Sequence, residues 1–251
     1  MYKILQVGLI SLSLAMCSVA NAAPDDTASL KAMLKDNFPE LTIDEVTSSP
    51  INGIYQVSTG GSILYVTKDG HYALSGDIID LKNGQKNITE AARKTARLAG
   101  LKSIGEENMI TFAPKDPKYT VTVFTDVDCA YCRKLQDEMS AINAKGIAVR
   151  YLAFPRSGPN SPTFEKMLEI WCAKDRQKAF AAASHQSSEA KGKACSDQSV
   201  LREFQFGLSL GVNGTPTIIF EDGTLFPGYL PADKLLEVVK EIRQDNQGGK
   251  A

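Results

Sequence analysis

The chain has 251 residues, of which 43% are hydrophobic and 23% are charged, and its formal net charge is −1. This composition is ordinary for a globular protein and supplies enough apolar residues for a core, so it excludes wholesale disorder. The balanced charge gives no basic excess that would indicate nucleic-acid binding, and the length allows one large domain or two small ones.

The first 22 residues differ from the rest of the chain. Lys3 is the only charged residue among them, an apolar run extends from residue 4 to residue 19, and Ala20-Asn21-Ala22 offers small residues to a signal peptidase. This pattern predicts a secretory signal peptide over residues 1–22, with the mature chain starting at Ala23. An uncleaved membrane anchor is the alternative, but the apolar run is short and polar residues follow it.

Export would place the cysteines in an oxidising compartment, where disulfides are favoured. Loss of Cys17 with the signal peptide would leave four cysteines, namely Cys129, Cys132, Cys172 and Cys195. Four cysteines allow three pairings. The simplest pairing joins the two close cysteines to each other and the two distant ones to each other.

Residues 23–84 predict a small region of helix and strands. An amphipathic helix is predicted from apolar residues at helical spacing, namely Leu30, Met33, Leu34 and Phe38. Farther along, SILYVTKDGHYALSG contains two β-rich runs on either side of Asp69-Gly70. A short turn of this composition between such runs predicts a hairpin.

Residues 85–106 predict a basic helix between two regions. In NITEAARKTARLAG, Asn87 is suited to the N-cap, Glu90 follows three residues later, and Gly100 is suited to the end of the helix. The run of about 12 residues from Ile88 to Ala99 would span about 18 Å. Its apolar face is thin, which favours a spacer between domains over an ordinary packed helix.

Residues 107–251 alternate between strand-like and helical segments. The strand-like segments are NMITFAP, YTVTVFTD and IAVRYLAFP, and the first helix is predicted in CRKLQDEMSAINAKG. A mostly helical stretch follows from Thr163 to about Leu210. A hairpin is then predicted around Asp222-Gly223, and PADKLLEVVKEIRQ predicts a final helix. This order predicts an α/β domain with a helical insertion.

The stretch FTDVDCAYCRKLQDEM places two cysteines at the start of the first of these helices. A zinc site would need about four ligands, but the chain has a single Cys-x-x-Cys and its two histidines are scattered. A purely structural bridge over so short a loop would remove little entropy from the unfolded chain. Thiol–disulfide exchange is the interpretation that best explains this spacing.

Redox chemistry assigns different roles to the two cysteines. A strand delivers Cys129 to a helix N-terminus, where backbone N–H groups and the helix dipole favour the attacking thiolate. Cys132, one turn further on, is positioned to resolve a mixed disulfide. We therefore expect Cys129 to be exposed and Cys132 to be more buried. Asp126 and Asp128 would oppose a low thiol pKa, whereas Arg133 would favour it.

A proline supports the same interpretation. In GVNGTPTIIF, Pro216 stands immediately before an apolar strand, where it would remove a hydrogen-bond donor from the sheet. A cis Thr215–Pro216 bond would explain this position. It would bring the loop against Cys129 and leave the Thr215 backbone free to pair with an extended substrate.

Other conspicuous residues have ordinary structural explanations. Trp171 is expected in the core, and His71 and His185 are expected on the surface. Arg156 and Ser157 follow a buried strand and are weaker candidates for the border of the active site.

Residues from about 107 to 245 resemble a thioredoxin-fold domain, and the whole mature chain resembles a periplasmic disulfide isomerase of the DsbC type. The matching segments are VFTDVDCAYCRKL, RYLAFPRSG, IWCAKD and GVNGTPTIIFEDGTLFPGYLP. The resemblance implies an α+β, cystatin-like dimerisation domain over residues 23–84 and a linker helix over 85–106. It further implies an α/β thioredoxin-fold catalytic domain with a helical insertion over 107–251. A domain of about 62 residues buries little surface alone, which independently favours a homodimer.

The resemblance also implies roles for individual residues. Cys129 would be the nucleophile, Cys132 the resolving cysteine and Pro216 the cis-proline beside Thr215. A structural disulfide would join the two distant cysteines, Cys172 and Cys195.

The implied activity is isomerisation or reduction of incorrect disulfides in secreted proteins, with no metal or organic cofactor. The implied partners are misfolded disulfide-containing proteins, a second copy of the chain and a DsbD-like membrane electron donor. Two alternatives remain at this point: a DsbG-like reductase that protects single cysteines, and a dimeric holdase chaperone with secondary redox activity.

Overall fold

The computed structural model describes residues 26–185 and 198–248. The predicted signal peptide, residues 1–22, lies outside the described residues. None of the helices within these two ranges combines the length and apolar character that crossing a membrane requires.

The N-terminal region consists of one helix packed on a four-stranded antiparallel sheet. Its elements are α1 (Asp26–Asn37), β1 (Glu45–Ser48), β2 (Ile54–Thr59), β3 (Ser62–Thr67) and β4 (Ala73–Leu74). The strands lie in the order β1-β2-β3-β4. Leu30 and Leu34 of α1 share a buried cluster with Val57 and Val66 of the sheet, which forms the small core of this region.

The predicted hairpin at Asp69-Gly70 is confirmed. The Gly70 N–H donates to the Thr67 carbonyl at 2.8 Å, and Gly70 has a φ of 69°, a left-handed conformation that favours glycine. The prediction that Phe38 belongs to the apolar face of the first helix is wrong. Since α1 ends at Asn37, Phe38 lies beyond its last turn and is 45% exposed.

A two-stranded ribbon leads into the long helix that joins the two regions. These elements are β5 (Ile79–Asp80), β6 (Lys86–Asn87) and α2 (Ile88–Ile104). The predicted N-cap is confirmed, because the Asn87 side chain accepts a hydrogen bond of 2.8 Å from the Glu90 N–H.

The prediction that this helix ends at Gly100 is wrong. The helix continues to Ile104, and its C-cap is Gly105 with a φ of 84°. Gly100 serves close packing instead, because a Cβ atom at this position would lie 2.3 Å from Cε2 of Phe206. The absence of a side chain therefore lets α2 approach the C-terminal region.

The C-terminal region has a five-stranded sheet with helices packed against it. Its elements are a 3-10 turn (Glu106–Asn108), β7 (Ile110–Phe112), β8 (Tyr119–Thr125), α3 (Ala130–Asp137), α4 (Met139–Ala144), β9 (Ile147–Ala153), α5 (Pro162–Trp171), α6 (Arg176–Ser184), α7 (Ser199–Ser209), β10 (Thr217–Ile219), β11 (Leu225–Pro227) and α8 (Ala232–Gly248). The strand order is β11-β10-β8-β9-β7, in which β8 and β9 are parallel and the other neighbours are antiparallel.

The predicted α/β domain with a helical insertion is confirmed, since α5, α6 and α7 lie between β9 and β10. The segment predicted as one helix after the cysteines is divided at Glu138 into α3 and α4. Trp171 is fully buried, as predicted, and its indole N–H donates to the buried carboxylate of Glu203 at 3.2 Å.

Helix α2 packs against both regions and is more than an unsupported spacer. On the C-terminal side, Lys94 forms an ion pair of 2.6 Å with Asp222, and buried Arg97 donates to a carbonyl of the β10–β11 turn. On the N-terminal side, Thr89 shares a hydrogen bond of 2.6 Å with the hydroxyl of Tyr65. The helix therefore connects the β3 strand to the five-stranded sheet of the C-terminal region.

Candidate active site

The two close cysteines lie at the carboxyl end of the central strand. β8 ends at Thr125, and a short loop leads to Cys129, which is the extended N-cap residue of α3 with φ −83° and ψ 123°. Cys132 lies in the first turn of the same helix. The free N–H groups at a helix N-terminus stabilise negative charge, so this placement favours a thiolate at Cys129.

Both cysteines are free thiols, and both are buried. Cys129 is 4% exposed and Cys132 is 2% exposed, so the prediction that Cys129 is exposed is wrong. The cause is a loop distant in sequence. The Cys129 sulfur lies 3.2 Å from the carbonyl of Thr215, to which it donates a hydrogen bond when it is protonated, and this contact covers the sulfur atom.

The surroundings of the two thiols shift their pKa values in opposite directions. A hydrogen bond from the Cys132 thiol, helped by the Thr215 side chain and by the backbone N–H groups of Cys132 and Tyr131, outweighs burial and lowers the pKa of Cys129 to about 5. Burial and the proton shared with Cys129 raise the pKa of Cys132. At neutral pH the pair therefore carries one thiolate, on Cys129, and one thiol, on Cys132.

The Thr215–Pro216 bond is cis, as predicted. The strand that follows explains why Thr215 reaches the cysteine: β10 pairs antiparallel with β8, and Thr217 lies opposite Phe124. Within residues 26–185 and 198–248, the buried hydroxyl of Thr215 has no hydrogen-bond partner other than the Cys129 sulfur. It is therefore available to the thiolate.

The two acidic residues before Cys129 each form an ion pair with a basic side chain. Asp126 is 2% exposed and accepts hydrogen bonds of 3.0 Å from the backbone N–H and the Nε of Arg156. Asp128 forms an ion pair of 2.9 Å with Lys166. Arg133 donates to a backbone carbonyl of the preceding loop at 3.3 Å. The weaker candidate Arg156 thus borders the site, where it anchors the loop that carries Cys129.

Two hydroxyl groups beneath Cys132 were not identified from the sequence. Thr125 and Tyr151 are fully buried, and their hydroxyls have no hydrogen-bond partner in the described part of the chain. The Thr125 side chain lowers the pKa of Cys132, opposing the effect of burial. Burial is the main cause that raises the pKa of Tyr151. The sequence did contain a signal for Thr125. Side chains alternate between the two faces of a strand, so Thr125 lies on the same face of β8 as Val123.

The distant cysteines are separate from this site. Cys172 is the C-cap residue of α5 and is disulfide-bonded. Its predicted partner, Cys195, lies outside the described residues. His185 is exposed, as predicted, and His71 is an exposed residue beside the β3–β4 turn. Within the described ranges, no three His, Cys, Asp or Glu side chains converge in a way that could hold a metal ion.

Two family models match the chain, one for each region. The model described as the disulfide bond isomerase protein N-terminal domain matches residues 20–90. The model described as a thioredoxin-like domain matches residues 106–243. These matches confirm the predicted combination of an α+β N-terminal domain and a thioredoxin-fold domain.

Named relatives extend the similarity to nearly the whole chain. The chain is 39% identical to the thiol:disulfide interchange protein DsbC of Dickeya dadantii (strain 3937), over 95% of both chains. It is 35% identical to the protein of the same name from Escherichia coli (strain K12), over 90% of this chain and 92% of that one. Among solved structures, a disulfide interchange protein from Neisseria gonorrhoeae aligns with a TM-score of 0.50 and 28% identity, covering 55% of this chain and 96% of that chain.

Proposed function

Because this chain belongs to the DsbC family of thiol:disulfide interchange proteins, we propose that it corrects wrong disulfides with Cys129 as nucleophile and Cys132 as resolving cysteine. The observation that carries this assignment is the asymmetry of the pair. Cys129 is the N-cap residue of α3 with a pKa lowered to about 5, whereas burial raises the pKa of Cys132. Only the first cysteine is therefore ready to attack at neutral pH.

The first step is an exchange of one S–S bond for another. The Cys129 thiolate attacks one sulfur of the client disulfide, forms a mixed disulfide and releases the other client sulfur as a thiolate. In isomerisation, the released client thiolate, or another one that it has displaced from a second client disulfide, attacks the client sulfur of the mixed disulfide, and Cys129 leaves as a thiolate. The protein then ends each cycle reduced, so isomerisation consumes no electrons.

The second possible outcome is net reduction. The Cys132 thiol gives up its proton and attacks the sulfur of Cys129, and the bound client sulfur leaves as a thiolate. Two electrons have then passed to the client, and Cys129 and Cys132 are joined in a disulfide. The enzyme must be reduced again, and a DsbD-like membrane electron donor is the source that the family resemblance supports.

The Thr215 backbone is the proposed site at which the client chain aligns. Its carbonyl lies 3.2 Å from the Cys129 sulfur, so an extended client segment that pairs with Thr215 would place its disulfide beside the nucleophile. Pro216, the cis-proline, follows directly. Arg156 would hold the loop between β8 and α3 in position through its ion pair with Asp126.

The remaining assignments follow the family. We assign residues 23–84 to a dimerisation domain, 85–106 to the linker and 107–251 to the catalytic domain, and we assign the disulfide of Cys172 to Cys195. The predicted signal peptide supports a periplasmic location. The homodimer and the misfolded, disulfide-containing clients are likewise supported by the family of the N-terminal domain.

Trapping the mixed disulfide tests the mechanism. The Cys132→Ser variant lacks the resolving thiol, so it should accumulate a covalent complex with a scrambled multi-disulfide protein, visible on a non-reducing gel and dissolved by dithiothreitol. Mass spectrometry should locate the linkage at Cys129. The matched Cys129→Ser variant should form no complex, and an equal yield of complex from that variant would overturn the assignment.

A further inference from the structure

An exposed aromatic ring stands at the mouth of the active site. Tyr131 lies between the two cysteines and is 61% exposed. Its backbone N–H helps to lower the pKa of Cys129, but its ring projects from the surface. The ring of Tyr229 lies beside it, with centroids 6.1 Å apart and planes inclined by 31°. This separation is within the range of favourable aromatic pairs.

Two further side chains, on the same face of the α3–α4 segment as Tyr131, hold Tyr229 in place. The ammonium of Lys134 lies 4.9 Å from the centroid of the Tyr229 ring, a cation–π distance. The Tyr229 hydroxyl donates to Glu138, whose other carboxylate oxygen accepts from the Ala232 N–H at 2.9 Å. Positions 131, 134 and 138 follow helical spacing, so the three side chains lie on one face of the α3–α4 segment and all contact Tyr229.

This arrangement fixes the position of an aromatic surface beside the nucleophile. Burial, followed by the hydrogen bond to Glu138, raises the pKa of Tyr229 to about 12, so its phenol stays neutral and remains a donor over the working pH range. Lys134 covers the Tyr229 ring, while Tyr131 remains open to solvent. A large aromatic side chain that is exposed beside an active site indicates a surface for contact with a binding partner.

We propose that Tyr131 is a specificity-determining residue that receives an apolar or aromatic side chain next to the client cysteine, and that Tyr229 is its positioning residue. The client segment would lie across the start of α3 while its cysteine reaches Cys129. Misfolded chains expose the apolar residues that such a ring would contact. The nearby charge of Lys134 disfavours a lysine or arginine at the same client position. The inference rests on the proposed function, because it needs a client disulfide at Cys129.

Two peptide disulfides provide the test. They are identical except that the residue before the cysteine is Phe in one and Ser in the other, and the full chain in its reduced form reduces each of them. The wild-type protein should show a KM for the Phe peptide about 3- to 10-fold lower than for the Ser peptide, the range expected for one aromatic contact. The values of kcat should be similar, because the contact is formed before the chemical step.

The variants separate recognition from packing. Tyr131→Ala and Tyr229→Leu should each remove most of the preference through KM, and Tyr229→Phe, which keeps the ring, should retain most of it. The double variant should be no worse than Tyr131→Ala, because both substitutions remove the same contact. The equilibrium constant with glutathione should be measured for each variant, since residues between the cysteines also affect redox potential.

A matched control is available at the opposite end of the sheet. Tyr119 starts β8 and carries the guanidinium of Arg243 at 4.2 Å from its ring centroid, but it lies about 20 Å of strand away from Cys129. Tyr119→Leu should leave the Phe-to-Ser preference intact.

Three results would contradict the inference. A wild-type protein that reduces both peptides with equal KM lacks the specificity, although its proposed function stands. A preference that survives Tyr131→Ala places recognition elsewhere. If Tyr229→Leu lowers kcat for both peptides and leaves the ratio of their KM values unchanged, Tyr229 acts on the chemical step and not on client recognition. Failure of the wild-type protein to reduce either peptide would instead contradict the proposed function.

Discussion

At the scale of single residues, Cys129 and Cys132 differ because each meets different neighbours. Cys129 receives hydrogen bonds from Cys132 and from the Thr215 side chain, which favour its ionised form. Cys132 is buried against the hydroxyls of Thr125 and Tyr151, where burial favours the protonated form. The proposed nucleophile and the proposed resolving residue are therefore distinguished by their environments, although both side chains are buried.

The lowered pKa of Cys129 predicts how its reactivity depends on pH. With a pKa of about 5, the thiolate dominates at neutral pH, and its reactivity is lost as the pH falls through 5. The rate of alkylation by iodoacetamide should level off above about pH 6.5, whereas an ordinary cysteine titrates near 8.5. The Cys129→Ser variant should not be alkylated over this range, because the pKa of Cys132 is raised. A wild-type midpoint close to 8.5 would contradict the assignment.

The Thr215 hydroxyl makes a separate prediction. Thr215→Val keeps the shape of the side chain but removes its donor, so the midpoint of thiolate formation at Cys129 should rise by about 1 pH unit or less, the equivalent of one hydrogen bond. Thiolate absorbance near 240 nm, followed against pH, measures this midpoint. Thr120→Val, near the opposite end of β8, is the control. An unchanged midpoint in Thr215→Val would show that the hydroxyl has no part in activating the thiol.

At the scale of secondary-structure elements, α2 does two things at once: it spans the distance between the regions and packs closely against α7. The helix approaches α7 at Gly100, where a Cβ atom would lie 2.3 Å from Cε2 and 2.6 Å from Cζ of Phe206. Glycine inside a helix ordinarily costs about 1 kcal/mol relative to alanine. The glycine is retained here because the ring occupies the space that a side chain would need.

Gly100→Ala should therefore destabilise the protein despite the better helix propensity of alanine. We expect a net loss of about 1 to 2 kcal/mol in the free energy of unfolding, since overpacking costs more than the propensity gain. Urea denaturation measures this difference. Gly214→Ala is the control, because no atom lies within 4 Å of its added Cβ and its φ is not positive. A more stable Gly100→Ala variant would mean that the contact with Phe206 yields easily.

The same elements show what the sequence can predict. The Asn87 cap, the Asp69-Gly70 hairpin and the strand-to-helix position of Cys129 all depend on neighbours close in sequence, and all three are confirmed. The predictions that failed depend on distant contacts. Phe206 decides the role of Gly100, and Thr215 decides the burial of Cys129. A local sequence pattern does not show which side chain from a distant part of the chain will pack against it in the fold.

The role of Tyr229 was not predicted from the sequence, again because it depends on a distant contact. Its neighbours Tyr131, Lys134 and Glu138 share one helical face, a pattern visible in the sequence. The tyrosine that they hold comes from the segment after β11, so only the folded sheet could bring it to them.

At the scale of the whole molecule, the N-terminal region presents apolar residues near an open sheet edge. β4 is the last strand of its sheet, and Leu74 on it is 51% exposed. Tyr72 and Leu81 are 66% and 78% exposed. An unpaired edge with apolar side chains is suited to pairing with another chain, which agrees with the proposed homodimer. The turn between β2 and β3 faces α7 instead, where the Ser62 hydroxyl donates to the Ser209 carbonyl.

Leu74→Lys should weaken the proposed dimer. A charge placed in a buried interface should raise the dissociation constant about 10-fold or more, measured by analytical ultracentrifugation over a dilution series. Leu208→Lys, which alters a leucine of α7 that is 53% exposed, is the matched control and should leave the dimer unchanged. Equal behaviour of the two variants would place the dimer interface elsewhere.

The central claim is that Cys129 chemistry rearranges wrong disulfides. Its most direct test is the recovery of activity by a scrambled multi-disulfide protein incubated with the reduced full chain, with the Cys129→Ala variant as control. The account predicts that activity returns with the wild-type protein and is lost with the variant, while both remain folded by circular dichroism. Equal recovery with the variant would contradict the account.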